Sequence, residues 1–309
     1  MYRYTTLLTQ PIQQINHQVQ DLQQAGAALL RIRDLLAVES HVRDTGRVAL
    51  PTGALAVEFE SVSFRYVAPA ADQNAQPPWG LEGISFSLAP GCVLGLLGHT
   101  GSGKSSLIRL LFRLYEPTVG SIRLGGVNLH DVRLVELRRR VGMVTQEVQL
   151  FHASLRDNLT LFDAGIADDR ILAVLEQIGL GDWYRTLPDG LATTLSSRSS
   201  GLSAGQAQLL AVARVFLKDP DVVILDEASS RLDPATEALL ERAIDTLLED
   251  RTAIVIAHRL TTVRRADHIM ILDNGRCVEF GHYERLARDP HSRFSSLLRT
   301  ALAQAPPKT

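Results

Sequence analysis

A glycine-rich segment between an apolar run and a helical pattern constrains the fold of this chain more than any other feature of its sequence. Residues 98–105 have the sequence GHTGSGKS, which matches the pattern G-x-x-x-x-G-K-[ST]. The apolar run of residues 92–97 precedes this segment, and leucines at helical spacing follow it. Glycines let the backbone curl so that consecutive N–H groups point inward, next to the positive end of the following helix. The segment therefore predicts a strand, a phosphate-binding loop and a helix in succession.

Two further apolar runs end in polar side chains that can take part in catalysis. Residues 222–225 precede Asp226 and Glu227, and residues 254–257 precede His258. Short strands that are almost entirely apolar are typical of the middle of a parallel sheet that helices cover on both faces. Ligands bind at the carboxyl ends of the strands in such sheets. We therefore expect an α/β fold in which these polar groups converge on the glycine-rich loop.

The side chains of the loop and of the acidic pair favour hydrolysis of a nucleoside triphosphate. Lys104 would reach the β- and γ-phosphates, and the Ser105 hydroxyl would coordinate Mg²⁺. Asp226 ends a hydrophobic run, as expected of a carboxylate that holds Mg²⁺ through water. Glu227 can polarise a water molecule for attack on the γ-phosphate, which favours hydrolysis over transfer to another substrate.

A second anion-binding site is predicted at residues 203–206, SAGQ. Ser203 and Gln206 have the S-x-x-Q spacing of a capping box, ahead of apolar residues at helical spacing. A helix start that offers free N–H groups and a small serine can bind an anion. The alternative is a well-capped helix with no further function.

The N-terminal part of the chain differs in composition from the rest. Residues 11–38 are rich in glutamine and have apolar residues at three- and four-residue spacing, which predicts a helix. This helix either packs on its own domain or comes from a larger bundle. Glycine and proline within residues 45–53 interrupt the pattern, and alternation in residues 57–64 predicts a strand, so we place a domain boundary near residue 50. Residues 67–79 are predicted to form an exposed loop.

Composition excludes several classes of protein. Of 309 residues, 45% are hydrophobic and 21% are charged, as in ordinary globular chains. The net charge of −2 argues against a protein that mainly binds nucleic acid or anionic lipid without specificity. Two cysteines, Cys92 and Cys277, are too few for a disulfide framework, so we expect a reducing compartment. No apolar stretch approaches about 18 residues and no secretory signal begins the chain, so we expect it not to cross a membrane by itself.

These motifs, taken in order, resemble the nucleotide-binding domain of an ATP-binding cassette (ABC) transporter of the exporter type. The similarity runs from about residue 57 to residue 286. It implies a P-loop NTPase core, a mostly parallel sheet flanked by helices, with an antiparallel β subdomain and a helical subdomain at about residues 147–214. The nucleotide-binding domain would span residues 51–300. Residues 1–50 resemble the cytoplasmic end of the last transmembrane helix with a linker, and residues 301–309 would form a C-terminal tail.

The resemblance also implies roles for individual residues. Tyr66 is similar to the aromatic residue that stacks on adenine, and Gln146 to the glutamine that senses Mg²⁺ and contacts the membrane domain. Ser203, Gly205 and Gln206 belong to the stretch that resembles the signature motif of the family, which would contact nucleotide. The residues expected to hold the phosphates of ATP are Gly98, His99, Thr100, Gly101, Ser102, Gly103, Lys104, Ser105 and Ser106.

Catalytic and metal-binding residues follow from the same resemblance. Glu227 is similar to the catalytic base and His258 to the switch histidine that contacts the γ-phosphate, and Gln146 is expected to act with them. Asp233 ends the segment SRLD, which resembles the D-loop, and would lie at the nucleotide. The residues expected to hold Mg²⁺ are Ser105, Gln146 and Asp226.

Two positions depart from the family pattern. The signature motif usually has two central glycines, and Ala204 stands at the first of them. We expect a methyl group at that place to be tolerated. Ser197 stands where exporters usually carry a glutamate, in a segment that meets the coupling helices of the membrane domain. Coupling to the transport domain is therefore expected to differ in detail.

The resemblance implies a motor that binds and hydrolyses ATP. Two such domains, identical or related, would enclose two ATP molecules, each between the phosphate loop of one domain and the Ser203 helix of the other. The cycle would drive export through a transmembrane domain, which would hold the chain at the cytoplasmic face of the cell membrane, with no nucleic-acid partner. Alternatives are a soluble, non-transport ABC ATPase, a small-molecule kinase, and an ATP-binding fragment that is inactive without its membrane domain.

Overall fold

The structure, a computed structural model, describes residues 2–37, 42–66, 79–195, 202–226, 233–257 and 262–304. The chain divides into two units, Met1–Arg43 and Asp44–Thr309. The first unit contains helix α1 (Tyr2–Leu36), which confirms the helix predicted from the glutamine-rich pattern. In the described residues, no helix combines the length and the apolar character needed to cross a membrane.

The second unit contains the remaining helices and strands that the structure describes. Its helices are α2 (Lys104–Leu111), α3 (Leu134–Arg140), α4 (Leu155–Thr160), α5 (Asp168–Gln177), α6 (Gly181–Arg185), α7 (Ala204–Lys218), α8 (Pro234–Leu248), α9 (Tyr283–Arg288) and α10 (Arg293–Gln304). Its strands are β1 (Val57–Arg65), β2 (Trp79–Leu88), β3 (Val93–Leu97), β4 (Val119–Leu124), β5 (Val127–Asn128), β6 (Val141–Val144), β7 (Ala153–Ser154), β8 (Thr194–Leu195), β9 (Val222–Asp226), β10 (Thr252–Ile256), β11 (His268–Asp273) and β12 (Arg276–His282). Short 3₁₀ helices span Leu129–Asp131, Gly190–Ala192 and Thr262–Arg265.

Six strands form the main sheet, in the order β12-β11-β3-β10-β9-β6. The five strands from β11 to β6 are parallel, and β12 pairs antiparallel with β11. All residues of β3 and β10 are buried, as are the first four of β9. The prediction of central parallel strands and of an α/β fold is therefore confirmed. Strand β10 ends at Ile256, one residue before the end of the predicted run, and β9 extends to Asp226.

Alternate side chains of the central strands pack on opposite faces of this sheet. Leu94, Ile224 and Ile254 belong to a hydrophobic cluster that also contains buried apolar residues of β1, β2 and α2. Val223 and Val255 belong to a second cluster, formed with α4, α5, α7 and α8. Because successive residues of a strand point to opposite sides, each short apolar run supplies both cores.

A separate four-stranded antiparallel sheet has the order β2-β1-β4-β5. It corresponds to the predicted antiparallel subdomain, and β1 contains the strand predicted at residues 57–64. Trp79 is the first residue of β2 and pairs with Arg65 of β1. The loop predicted at residues 67–79 is therefore wrong at its last residue, and residues 67–78 lie outside the described part of the chain.

Helix α7 connects the helical segment to the main sheet. Helices α4, α5, α6 and most of α7 lie within the helical subdomain predicted at residues 147–214, but α7 continues to Lys218. The Lys218 Nζ donates a hydrogen bond to the carbonyl oxygen of Val141 in β6, at 2.8 Å. Burial lowers the pKa of this lysine. The last turn of α7 is thus bound directly to the edge strand.

Residues 44–50 are part of the second unit, although the sequence pattern places the boundary near residue 50. The backbone N–H groups of Arg47 and Val48 donate to the carbonyl oxygen of Asp131, at 2.8 and 2.9 Å. Leu50 is buried in the cluster with β1 and β2. Backbone hydrogen bonds, which side-chain patterning does not reveal, therefore extend this unit toward the N-terminus.

The two-sided core predicts a large difference between two valine substitutions. Val223 in β9 is fully buried, whereas Val135 in α3 is 78% exposed. Val223→Ala is expected to lower the free energy of unfolding by about 2 kcal/mol, because it removes two buried methyl groups and leaves a cavity. Val135→Ala is expected to change it by less than about 0.5 kcal/mol. Urea denaturation followed by circular dichroism measures both values, and equal effects would contradict the two-sided core.

Candidate functional site

The glycine-rich loop connects the end of β3 to the start of α2. Gly103 caps the helix with a φ of 108°, in the left-handed region that favours glycine. A Cβ at Gly103 would lie 2.8 Å from Leu81 Cδ2 and 2.9 Å from the carbonyl oxygen of Gly80. The loop therefore curls tightly against β2, which fixes the position of the first turn of α2.

The side chain of Lys104 is held inside this curl. Its Nζ donates hydrogen bonds to the carbonyl oxygens of Gly98, at 2.6 Å, and His99, at 2.9 Å. Lys104 is only 7% exposed. Since a buried ammonium group loses its hydration, these two carbonyl oxygens stabilise its positive charge at the loop. The arrangement suits a phosphate group.

The backbone of Ser102 holds the loop in place through two hydrogen bonds. Its backbone N–H donates to the carbonyl oxygen of His99 at 3.1 Å, and its own carbonyl oxygen accepts from the N–H of Gly275 at 3.0 Å. Ser102 is 1% exposed, and among the described residues its hydroxyl has no hydrogen-bond partner. The turn between β11 and β12 is thus bound to the loop through the backbone of Ser102.

His99 and Gly98 line a different space from Lys104. The His99 Nε2 lies 3.2 Å from Asp273 Oδ1, and its Nδ1 lies 3.0 Å from the carbonyl oxygen of Thr100. Gly98, His99 and Asp273 line a cavity of about 530 Å³ that reaches α10. His99 therefore links the loop to the β11–β12 turn.

A cleft of about 760 Å³ opens at the carboxyl edge of the main sheet. Strand β9 brings Asp226 to this cleft, β10 brings Ile256 in register beside it, and Gln146 follows β6. The predicted site residues that line the cleft are Tyr66, Thr100, Gly101, Gly103, Lys104, Ser105, Ser106, Gln146 and Asp226. Of the polar groups expected to converge on the glycine-rich loop, Asp226 lies in the same cleft as Lys104 and Ser105. Glu227 and His258, the other two polar groups expected there, lie outside the described residues.

Three side chains whose oxygen atoms could coordinate a metal ion line the same cleft. They are the hydroxyl of Ser105, the amide of Gln146 and the carboxylate of Asp226. In the described part of the chain, no group of three or more His, Cys, Asp or Glu side chains is placed to hold a metal ion by itself. A single carboxylate with neutral oxygens suits a hard cation that also takes oxygens from water and substrate phosphates, as Mg²⁺ does.

Tyr66 lines the cleft, and two residues of α2 contact its hydroxyl group. The hydroxyl lies 2.9 Å from Ser106 Oγ and accepts a hydrogen bond from Arg109 Nη1 at 3.0 Å. The rings of Phe64 and Tyr115 pack against its ring, at centroid distances of 4.7 and 5.3 Å. Helix α2 thus fixes the aromatic ring through the turn that follows Lys104.

The predicted second anion site lies at the N-terminus of helix α7. The hydroxyl of Ser203 accepts from the backbone N–H of Gln206 at 3.1 Å, and the Gln206 side chain accepts from the N–H of Ser203 at 2.9 Å. The capping box is therefore confirmed, with Gly205 buried in the first turn. The residues lining the cleft, as far as the structure describes them, do not include Ser203, Gly205 or Gln206.

Asp233 is the N-cap residue of helix α8. Its carboxylate accepts from the backbone N–H of Thr236 at 3.0 Å and caps α8. The Thr236 side chain, followed by its backbone N–H, lowers the pKa of this carboxyl group. Asp233 is thus an ionised cap at neutral pH, and it too stands apart from the cleft-lining residues that the structure describes.

A family model described as ABC transporter matches residues 81–230. A probable multidrug resistance ABC transporter ATP-binding/permease protein of Bacillus subtilis is 37% identical over 283 residues, which are 92% of this chain and 41% of the relative. The ATP-dependent lipid A-core flippase of Xylella fastidiosa is 39% identical over 274 residues, 88% of this chain and 45% of the relative. This chain belongs to the ABC transporter family.

Solved structures agree with that assignment. The structure of a bacterial Atm1-family ABC exporter with ATP bound matches with a TM-score of 0.77 and 30% sequence identity, and the match covers 93% of this chain and 48% of that chain. The expected fold of an ABC nucleotide-binding domain is therefore confirmed. The chain spans less than half the length of these relatives.

Several cleft residues of this ABC family member were not predicted from its sequence. They are Trp79, Gly80, Arg109, Ile256, Asn274 and Gly275. Arg109 lies one turn after Ser105 on α2, so helical spacing from the loop could have identified it. Asn274 and Gly275 form the turn that braces the loop, and Trp79 enters through its pairing with Arg65. Trp79, Asn274 and Gly275 are thus brought to the cleft by contacts between segments that are distant in sequence.

The loop geometry distinguishes two glycines of the ABC phosphate loop. Gly101 and Gly103 both have positive φ, 85° and 108°, so alanine strains the backbone at both positions. A Cβ at Gly101 meets nothing within 4 Å, whereas one at Gly103 collides with β2. Gly103→Ala is expected to lower the free energy of unfolding by about 1–3 kcal/mol more than Gly101→Ala. Denaturation without nucleotide compares them, and equal losses would mean that the loop does not press on β2.

Proposed function

We propose that this chain is the ATP-binding and ATP-hydrolysing motor domain of an ABC exporter. The observation that carries the proposal is the cleft in which Lys104, Ser105, Gln146 and Asp226 meet at the carboxyl edge of the parallel sheet. The ammonium group of Lys104, held between two carbonyl oxygens, would supply positive charge for phosphates, and Ser105, Gln146 and Asp226 line the same cleft. Nucleoside triphosphates carry the negatively charged phosphates that such a cleft would bind.

The residues of the cleft fit Mg²⁺ bound together with ATP. Ser105, Gln146 and Asp226 would hold the ion, because all three present oxygen atoms to the same space. When bound, Mg²⁺ would offset negative charge on the phosphate oxygens. Lys104 would exchange its carbonyl partners for phosphate oxygens, which keeps the ammonium group paired throughout.

Glu227 and His258 are the proposed catalytic pair. Glu227 directly follows Asp226 at the end of β9, and His258 follows β10 after Ala257. Strands β9 and β10 are neighbours, with Asp226 paired to Ile256. Glu227 would take a proton from the attacking water, and His258 would hold the γ-phosphate, with Gln146 completing the set.

A second nucleotide-binding domain would complete the site. Ser203 is exposed at the start of α7, and the described lining of the cleft in its own chain does not include it. This supports a role for the N-terminus of α7 against the nucleotide of a partner domain, which is an identical or a related chain. Asp233 would lie near the same interface as part of the D-loop.

Export is proposed from the relatives, which include a probable multidrug resistance transporter, a lipid A-core flippase and a bacterial exporter. Each is more than twice as long as the matched region. A transmembrane domain would hold this chain at the cytoplasmic face of the cell membrane, and residues 1–50 would form the cytoplasmic end of its last helix with a linker. The transported substrate would be selected by that domain.

Steady-state phosphate release tests the proposal. Glu227→Gln is expected to lower ATP hydrolysis by about 100-fold or more, because general-base catalysis contributes at least that much, while ATP binding persists. Glu249→Gln is the control, since it removes one exposed carboxylate at the end of α8. Wild-type hydrolysis by Glu227→Gln would show that another group is the base. ATP binding without any phosphate release by the unmodified chain would support a fragment that is inactive without its membrane domain.

A further inference from the structure

Trp79 lines the nucleotide cleft, and the guanidinium group of Arg65 covers one side of its ring. It is the first residue of β2 and pairs with Arg65, the last residue of β1. The guanidinium carbon of Arg65 lies 3.6 Å from the centroid of the Trp79 ring, which is a close cation–π contact. The ring is therefore held in one orientation by its strand partner, and it lines the cleft.

Tyr66 and Trp79 are the two aromatic residues in the described lining of this cleft. Gly80 lies directly against Tyr66, because a Cβ at Gly80 would be 3.3 Å from Tyr66 Cε2. The absence of a side chain at Gly80 lets the start of β2 approach the tyrosine ring. Both rings line the same space as Lys104 and Ser105. The described lining of the cleft thus combines two aromatic rings with the ammonium group of Lys104.

We propose that Trp79 is a second base-binding residue, which contacts the purine ring of a nucleotide whose phosphates lie at Lys104. The inference rests on the proposed function as a nucleotide site. Flat aromatic rings bind bases through stacking, which requires no particular hydrogen-bond pattern. Arg65 reduces the freedom that the Trp79 ring loses on binding, since the ring is already oriented. Trp79 therefore increases affinity for the base and leaves phosphate binding unchanged.

The chain offers a direct optical test of this contact. Its two tryptophans are Trp79 and Trp183, and Trp183 lies on α6. In Trp183→Phe the emission comes from Trp79 alone, and saturating Mg-ATP is expected to change it, whereas tripolyphosphate is expected to have little effect. In Trp79→Phe the remaining emission, from Trp183, is expected to stay constant with both ligands.

Affinity gives an independent measurement on the full chain. Trp79→Ala is expected to raise the Kd for Mg-ATP, measured by calorimetry, by about tenfold, in line with loss of one base-stacking contact. The Kd for tripolyphosphate is expected to change by less than about twofold. Trp79→Tyr, which keeps an aromatic face, is expected to recover most of the affinity for ATP.

Three results would overturn the inference. ATP binding by calorimetry with unchanged Trp79 emission and an unchanged Kd in Trp79→Ala would exclude the base contact and leave the proposed function standing. Equal weakening of ATP and tripolyphosphate by Trp79→Ala would mean that the ring acts through the fold. No ATP binding by the unmodified chain would refute both the inference and the proposed function.

Discussion

Burial of both faces of the central strands is the constraint on which the rest of the structure depends. Strands β3 and β10 have no exposed residue, and alternate side chains of each strand enter two separate hydrophobic clusters. A buried strand can carry polar side chains only at its ends, because an unpaired polar group within it would lose its hydration. The parallel arrangement puts these ends at one edge of the sheet, where the cleft opens.

The phosphate loop turns this edge into a binding site. Gly103 lets α2 begin while the loop packs against β2. The carbonyl oxygens of Gly98 and His99, earlier in the loop, hold the ammonium group of Lys104. The β11–β12 turn braces the loop through the hydrogen bond from Gly275 to Ser102. The contacts that stabilise the loop are therefore the ones that would position Lys104 for a phosphate group.

The central strands, the loop and the start of α7 could be predicted from sequence because each has a local signal. Apolar runs mark the buried strands, glycine spacing marks the loop, and the capping box at Ser203 is local as well. Trp79 had no such signal, since its place in the cleft results from strand register with Arg65 and from the absence of a side chain at Gly80. The start of the second unit at Asp44 also had no local signal in the sequence, because backbone hydrogen bonds hold residues 44–50 to this unit.

We propose the ammonium group of Lys104, held between two carbonyl oxygens, as the phosphate anchor of the cleft. Isothermal titration calorimetry of Mg-ATP into the full chain measures its contribution, with Lys104→Ala compared with Arg138→Ala, which removes one exposed positive charge from α3. Arg138→Ala is expected to bind ATP as the unmodified chain does, whereas Lys104→Ala is expected to raise the Kd by about 100-fold or more, because a buried charge-assisted contact is lost. Unchanged ATP affinity in Lys104→Ala would show that Lys104 does not anchor the phosphates.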